Sequence, residues 1–266
     1  MPTALVITTA GTNCDLELLH AFSMAGCEVE SMHLTRLCRE PVHLDRADLI
    51  GIPGGFSYGD AVAAGRIAAQ LIRQHLYSAF TAAIQRGTPI IAPCNGFQIA
   101  AQAGLLPGPA EGEAYPDGPP APTVALAENA NARFVDRWTR VEIPAGTRCI
   151  WTRDLQAAQT TMLLPSAHGE GRFVADDAVL GALERDHRIA LRYAPDENFN
   201  GSAGSIAGIC DATGLVFGLM PHPERFTRWL HHPAWTRLSA EEMSGEPIGL
   251  QMFRSAVRHV TEPIAV

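Results

Sequence analysis

The segment Pro89-Ile90-Ile91-Ala92-Pro93-Cys94-Asn95-Gly96-Phe97-Gln98 puts a cysteine where a short apolar strand gives way at once to a helix, with glycine two positions on. Such a junction has the shape of a nucleophile elbow, a sharp turn that lifts the side chain above the end of a sheet. Gly96 lets the helix pass close to the strand. A thiol at a helix N-terminus feels the positive end of the dipole, which favours the thiolate that attacks carbonyl carbons. The Asn95 N–H would point at the oxyanion formed on the attacked carbon. A buried structural cysteine is the plain alternative. Cys14 competes for the same role, since it also sits where a strand meets a helix, but it lacks the glycine and Asp15 beside it opposes a thiolate. Cys27, Cys38, Cys149 and Cys210 lie in or beside apolar segments and read as core.

A cysteine nucleophile needs a base, and the base an orienting group. Of the ten histidines, His222 alone has a partner in its own segment, Leu219-Met220-Pro221-His222-Pro223-Glu224-Arg225. The flanking prolines favour extended backbone, in which positions i and i+2 point the same way. Glu224 would then reach one imidazole nitrogen while the other faces Cys94; a surface turn is the alternative for the trio in isolation. Ile52-Pro53-Gly54-Gly55-Phe56-Ser57-Tyr58-Gly59-Asp60 follows another strand. Its paired glycines allow backbone N–H groups to converge on an anion, which makes Gly55 a second oxyanion donor beside Asn95. A tight loop without a ligand is the alternative.

Positioning these residues requires strand ends that share one edge. Strand and helix signals alternate over the first hundred residues: strands at 4–9, 47–52 and 89–92, helices at 15–25, 66–86 and 95–103. Repeated βα units imply a parallel sheet covered by helices on both faces, and ligands in such sheets collect beyond the carboxyl ends of the strands. Residues 106–122 carry six prolines and three glycines and read as a surface loop, not a domain boundary. Strands are expected at 138–143 and 188–193, a hairpin from 205–210 and 215–220 turned at 211–214, and a last amphipathic helix over 248–260. The whole, 1–266, reads as a single α/β domain.

The chain has 20 basic and 28 acidic side chains, and every basic one is arginine. Without lysine there is no P-loop and no Schiff-base chemistry. The net charge of −8 argues against nucleic acid or an anionic membrane surface as the main partner. No apolar run reaches the ~20 residues of a membrane span, and the N-terminus lacks the marks of a signal peptide. Six scattered cysteines without C-x-x-C pairs read as free thiols, so the expected location is cytoplasmic.

The elbow resembles the C-x-G-x-Q signature of class I, triad-type glutamine amidotransferases, and His222-Pro223-Glu224 their H-x-E pair. Gly11-Thr12-Asn13-Cys14-Asp15, Pro53–Asp60, Cys94–Gln98, His168-Gly169-Glu170-Gly171-Arg172 and Met220–Arg225 together look like the glutaminase component of phosphoribosylformylglycinamidine synthase, from about Leu5 to His259. The resemblance implies a flavodoxin-like, doubly wound, mostly parallel sheet. It implies that Cys94 forms a γ-glutamyl thioester and releases ammonia, that His222 moves the protons and that Glu224 orients it. Gly55 and Asn95 would hold the oxyanion, Gln98 would contact the glutamine, and the loop of Asn200, Gly201 and Ser202 its amino-acid end. Cys14 belongs to the pattern without being the nucleophile. No metal or cofactor is implied in this chain; ATP and Mg would sit on the large synthase subunit, with a further small subunit as a possible partner. An amidotransferase serving another synthase, a non-catalytic subunit of the same fold and a cysteine hydrolase are the rival readings. Two departures stand out. Ala92-Pro93 precedes Cys94 where the family usually has glycine two residues before the cysteine, and proline cannot donate the last ladder bond. The 106–122 loop and segment 228–249 are long for the compact bacterial subunits. Arg133, Arg137, Arg140, Arg148 and Arg153 read as a solvated face.

Overall fold

A computed structural model describes residues 1–155 and 162–262; the parts of the single-domain expectation at 156–161 and 263–266 lie outside the described residues. The first half runs β1 (Thr3–Thr8), α1 (Asp15–Ala25), β2 (Glu28–His33), α2 (Leu34–Leu37), α3 (His43–Arg46), β3 (Leu49–Gly51), α4 (Arg66–His75), α5 (Tyr77–Gln85), β4 (Ile90–Pro93) and α6 (Asn95–Ala103). The second half adds β5 (Val124–Ala127), β6 (Val135–Glu142), β7 (Leu163–His168), β8 (Arg172–Ala175), α7 (Asp177–Arg185), β9 (Ile189–Tyr193), β10 (Ile206–Cys210), β11 (Val216–Leu219) and α8 (Ile248–Thr261). Nine strands join in one sheet in the order β2-β1-β3-β4-β11-β10-β9-β6-β7, while β5 and β8 pair separately. The pairings from β2 through β11 are parallel, and those from β11 through β7 are antiparallel. This is the expected α/β architecture with a parallel centre, extended on one side by an antiparallel wing.

The parallel centre forms because β1, β3, β4 and β11 are short apolar runs buried on both faces. Edge strand β2 carries Glu28, Val29, Glu30, Ser31 and His33 outward and buries only Met32, so its sequence gives no apolar signal. The single helix expected over 66–86 is two helices, α4 and α5. Leu76 separates them with φ −129°, and the bend buries Leu76 and Phe80 together with Ile72. The proline-rich loop stays tied to the body: Arg73 donates to the carbonyls of Pro119 and Pro120, and Tyr115 to that of Leu105. Among the described residues no helix is long and apolar enough to cross a membrane.

One glycine decides how close helix and sheet come at the elbow. A Cβ on Gly96 would lie 1.9 Å from the Ile52 carbonyl oxygen, so any side chain there would push α6 off the end of β3. Neighbouring β4 and β11 run parallel in the register Leu219↔Pro93, which brings the chain ends beyond both strands to the same edge.

Candidate active site

Cys94 follows the last residue of β4 and caps α6 with φ 53° and ψ −110°, a conformation outside the ordinary regions for a residue with a Cβ. Two constraints hold it there. Its N–H donates to the Leu219 carbonyl at 2.7 Å, while its carbonyl accepts from Phe97 and Gln98 in the first turn of α6. The missing donor of Pro93 therefore leaves the elbow intact, because Cys94 itself makes the bond that closes the ladder. The thiol is 7% exposed and lies 3.7 Å from the Ala167 carbonyl oxygen, opening into a cavity of about 350 Å³.

Beyond β11 the chain turns through His222. Its N–H donates to the Pro165 carbonyl at 2.7 Å, and its Nδ1 lies 2.6 Å from Glu224 Oε1. Pro223–Arg225 is a 3₁₀ turn, so the trio is not the extended segment that the prolines suggested. Glu224 reaches back to the ring across that turn, with the same pairing as the outcome. His222 and Glu224 are 1% and 2% exposed, and among the described residues Nε2 and Glu224 Oε2 meet no hydrogen-bond partner. Burial opposes the charged imidazolium, but the Glu224 carboxylate and the Cys94 sulfur outweigh it and raise the proton affinity of His222 well above the ordinary value. The arrangement can thus hold a proton beside a sulfur nucleophile.

The two glycines of the β3 loop divide the work differently from the sequence expectation. Gly54 faces the reacting groups: a Cβ there would lie 2.8 Å from His222 Cε1, 3.2 Å from Cys14 Sγ and 3.4 Å from Cys94 Cβ. Gly55, at φ +140°, lines the cavity and bridges to Thr12. That bridge uses the N–H groups of Asn13 and Phe56, not that of Gly55. Asn95 begins α6, and a first-turn N–H has no intrahelical acceptor. Gly55 thus lines the cavity that holds the thiol, whereas Asn95, next to Cys94 in the chain, is not among its lining residues.

Gln98 lines the cavity, with Nε2 2.5 Å from the Glu170 carbonyl oxygen and Oε1 accepting from Asn95 Nδ2 at 2.7 Å. Asn200, Gly201 and Ser202 are not among the residues that line it. They are packed behind its wall. Asn200 Nδ2 donates to the Gly171 carbonyl at 2.8 Å, and Ser202 Oγ accepts from the Phe173 N–H at 3.0 Å. Their effect is to fix the 168–171 loop. His168 is in that wall, with Nδ1 3.1 Å from Asn129 Oδ1; burial, helped by the neighbouring His222, pushes its pKa down to about 3 and keeps it neutral. Of the arginines read as a solvated face, Arg137 and Arg140 converge on Glu197.

Two features of the site escape the sequence, and the place of a third, Cys14, is seen only in the structure. Asn129 supports His168 from a loop without any motif. Gly54, not Gly55, packs against His222 and Cys94, which no glycine pattern distinguishes. Cys14 also stands in the wall, its sulfur accepting from Arg225 Nη2 at 3.0 Å and donating to Asn13 Oδ1 at 3.1 Å. Cys14, His222 and Glu224 lie with ligand atoms within 4.8 Å of one another, a spacing that suits a metal. A guanidinium on the sulfur disfavours a cation there.

The profile of the CobB/CobQ-like glutamine amidotransferase domain matches residues 1–260. The chain is 37% identical over 259 residues to the phosphoribosylformylglycinamidine synthase subunit PurQ of Dehalococcoides mccartyi, covering 96% of each chain. It is 42% identical over 230 residues to the same subunit of Corynebacterium jeikeium, covering 86% of this chain and 90% of that one. Among solved structures it resembles a chain of PurLQS from Thermotoga maritima, with TM-score 0.70, 32% identity, and coverage of 97% and 98%. Sequence, fold and site agree. The chain belongs to the CobB/CobQ-like glutamine amidotransferases and, among them, to the PurQ subunits of phosphoribosylformylglycinamidine synthase.

Proposed function

We propose that the chain is the glutaminase of a purine-forming synthase, with Cys94 as nucleophile, His222 as proton carrier and Glu224 as its orienting partner. The observation that carries this reading is convergence: the Cys94 elbow and His222, itself 2.6 Å from Glu224, open on one cavity. The cavity lies within the ~300–1,000 Å³ range of small-molecule sites.

The sulfur of Cys94 attacks the side-chain amide carbon of glutamine while the backbone N–H groups of Gly55 and Asn95 receive the oxyanion. His222 then gives its proton to the leaving nitrogen, and ammonia departs from a γ-glutamyl thioester. A high proton affinity suits this step, because the acid must hold its proton until the amine forms. Water, losing a proton to His222, attacks the thioester carbon and releases glutamate and the free thiol. Gln98 meets the substrate, while Asn200, Gly201 and Ser202 act by holding the wall that it contacts.

The ammonia passes to an ATP-dependent synthase subunit, in an assembly like PurLQS with a large and a further small subunit; ATP and Mg belong to that partner. The chain works as one amidotransferase domain in the cytoplasm. Cys94→Ala in the assembled enzyme is expected to abolish glutamine-dependent synthesis and leave ammonia-dependent synthesis intact. Equal loss of both activities would show that Cys94 supports the assembly and does not act on glutamine.

A further inference from the structure

We propose that Cys14 is the resolving thiol for Cys94, so that peroxide stores the nucleophile as a reversible Cys14–Cys94 disulfide. The proposal rests on Cys94 being the reactive thiol. No step of the amide chemistry uses Cys14, yet it is buried in the wall of the same cavity. The space above Gly54 is where the two cysteines face each other: a Cβ there would be 3.2 Å from Cys14 Sγ and 3.4 Å from Cys94 Cβ. Gly54 has no side chain to fill that space, which His222 Cε1 borders at 2.8 Å from the same Cβ position. A disulfide joins Cβ atoms about 4 Å apart, so the bond forms when the Cys14 segment closes on Cys94 past Gly54.

Arg225 Nη2 donates to Cys14 Sγ at 3.0 Å, and the proton-holding His222 stands beside Cys94. The chemistry balances in two steps. The Cys94 thiolate attacks one oxygen of hydrogen peroxide; the O–O bond breaks, hydroxide leaves and takes a proton as water, and Cys94 becomes a sulfenic acid. The Cys14 sulfur then attacks the sulfenic sulfur; the S–O bond breaks, the S–S bond forms, and the departing hydroxide takes the Cys14 proton as a second water. Two thiols are oxidised by two electrons and one peroxide is reduced. A dithiol reverses the change by exchange. The consequence is a glutaminase that stops under peroxide without passing to the irreversible sulfinic acid.

The test uses the assembled enzyme, wild type and the variants Cys14→Ser and Cys14→Ala, treated with hydrogen peroxide, alkylated and mapped by mass spectrometry. Glutamine-dependent activity is read before and after dithiothreitol, each relative to the same protein untreated. Wild type is expected to yield a Cys14–Cys94 cross-linked peptide and to recover on reduction. The variants are expected to accumulate Cys94 sulfinic acid and to lose that recovery. Absence of the cross-link from oxidised wild type overturns the proposal, whatever the variants do, as does equal recovery in all three. Labelling of untreated wild type by a diazo-ketone glutamine analogue reports the underlying reading separately, since failure to label Cys94 removes the nucleophile itself.

Discussion

Gly54→Ala isolates the geometry of the base from the rest of the fold. Gly54 is not held at positive φ, so alanine brings no backbone strain, only a methyl group. That methyl would stand 2.8 Å from His222 Cε1, where non-bonded carbons prefer about 3.5–4.0 Å. The ring must withdraw by about 0.7 Å or more to reach that range. It cannot withdraw freely, because Nδ1 is tied to Glu224 at 2.6 Å and the backbone N–H to Pro165 at 2.7 Å. The same methyl would press on Cys14 Sγ at 3.2 Å and Cys94 Cβ at 3.4 Å, so it cannot shift aside instead. A misplacement near 1 Å at a reacting group costs on the order of 10²-fold in rate, whereas overpacking of one methyl costs about 1–3 kcal/mol of stability. The expected result is a folded subunit that assembles with its synthase, supports ammonia-dependent synthesis and loses about 10²-fold in glutamine-dependent kcat/KM. Paired steady-state assays with glutamine and ammonium, alongside a urea titration, measure it. Glutamine-dependent kcat/KM within about threefold of wild type, in a variant of normal stability, would refute the claim that this space positions His222.

Two further substitutions probe the ring's charge and the loop that faces it. Glu224→Gln removes the carboxylate that holds a proton on His222, so the alkaline loss of diazo-ketone reactivity should move to lower pH; an unchanged profile would deny Glu224 that role. The raised proton affinity of His222 also stabilises the fold, fully below the ordinary imidazole pKa near ~6.5 and progressively less as pH rises through the raised value. The excess thermal stability of wild type over Glu224→Gln should therefore be largest at about pH 6 and shrink toward alkaline pH. Asn200→Ala deletes a buried amide bonded to the Gly171 carbonyl at 2.8 Å, at a cost of about 1–3 kcal/mol. Because Asn200 braces the cavity wall from behind, KM for glutamine should rise more than kcat falls, as steady-state kinetics will show.

The proposed catalytic trio could be picked out in the sequence because each member sits beside its own local signal. Cys94 is marked by an apolar strand, an abrupt helix and Gly96; His222 and Glu224 are marked by strand β11 and a spacing of two. The route by which Glu224 reaches the ring is not legible, since prolines are compatible with both an extended chain and the 3₁₀ turn that forms. The helix period over 66–86 conceals the bend at Leu76, because both halves bury residues at compatible spacing. Strand β2 is invisible for the opposite reason: its side chains point almost entirely to solvent, and its order comes from pairing with β1. Asn200 is marked only through a resemblance, and packing alone reveals that its amide grips the Gly171 carbonyl.

Strand β11 is the seam at which the sheet changes from parallel to antiparallel, and it also carries the base. The Cys94 N–H is hydrogen-bonded to Leu219, the last residue of that strand, so nucleophile and base are spaced by a main-chain ladder and not by an adjustable loop. Control of this enzyme therefore has little leverage on the dyad itself. A docking synthase gains most by moving what encloses the substrate, the glycine loop after β3 and the 168–171 wall, which rest on side-chain hydrogen bonds such as those of Asn95, Gln98 and Asn200. The chemistry is kept ready at the stiffest point of the molecule, and timing is left to its walls.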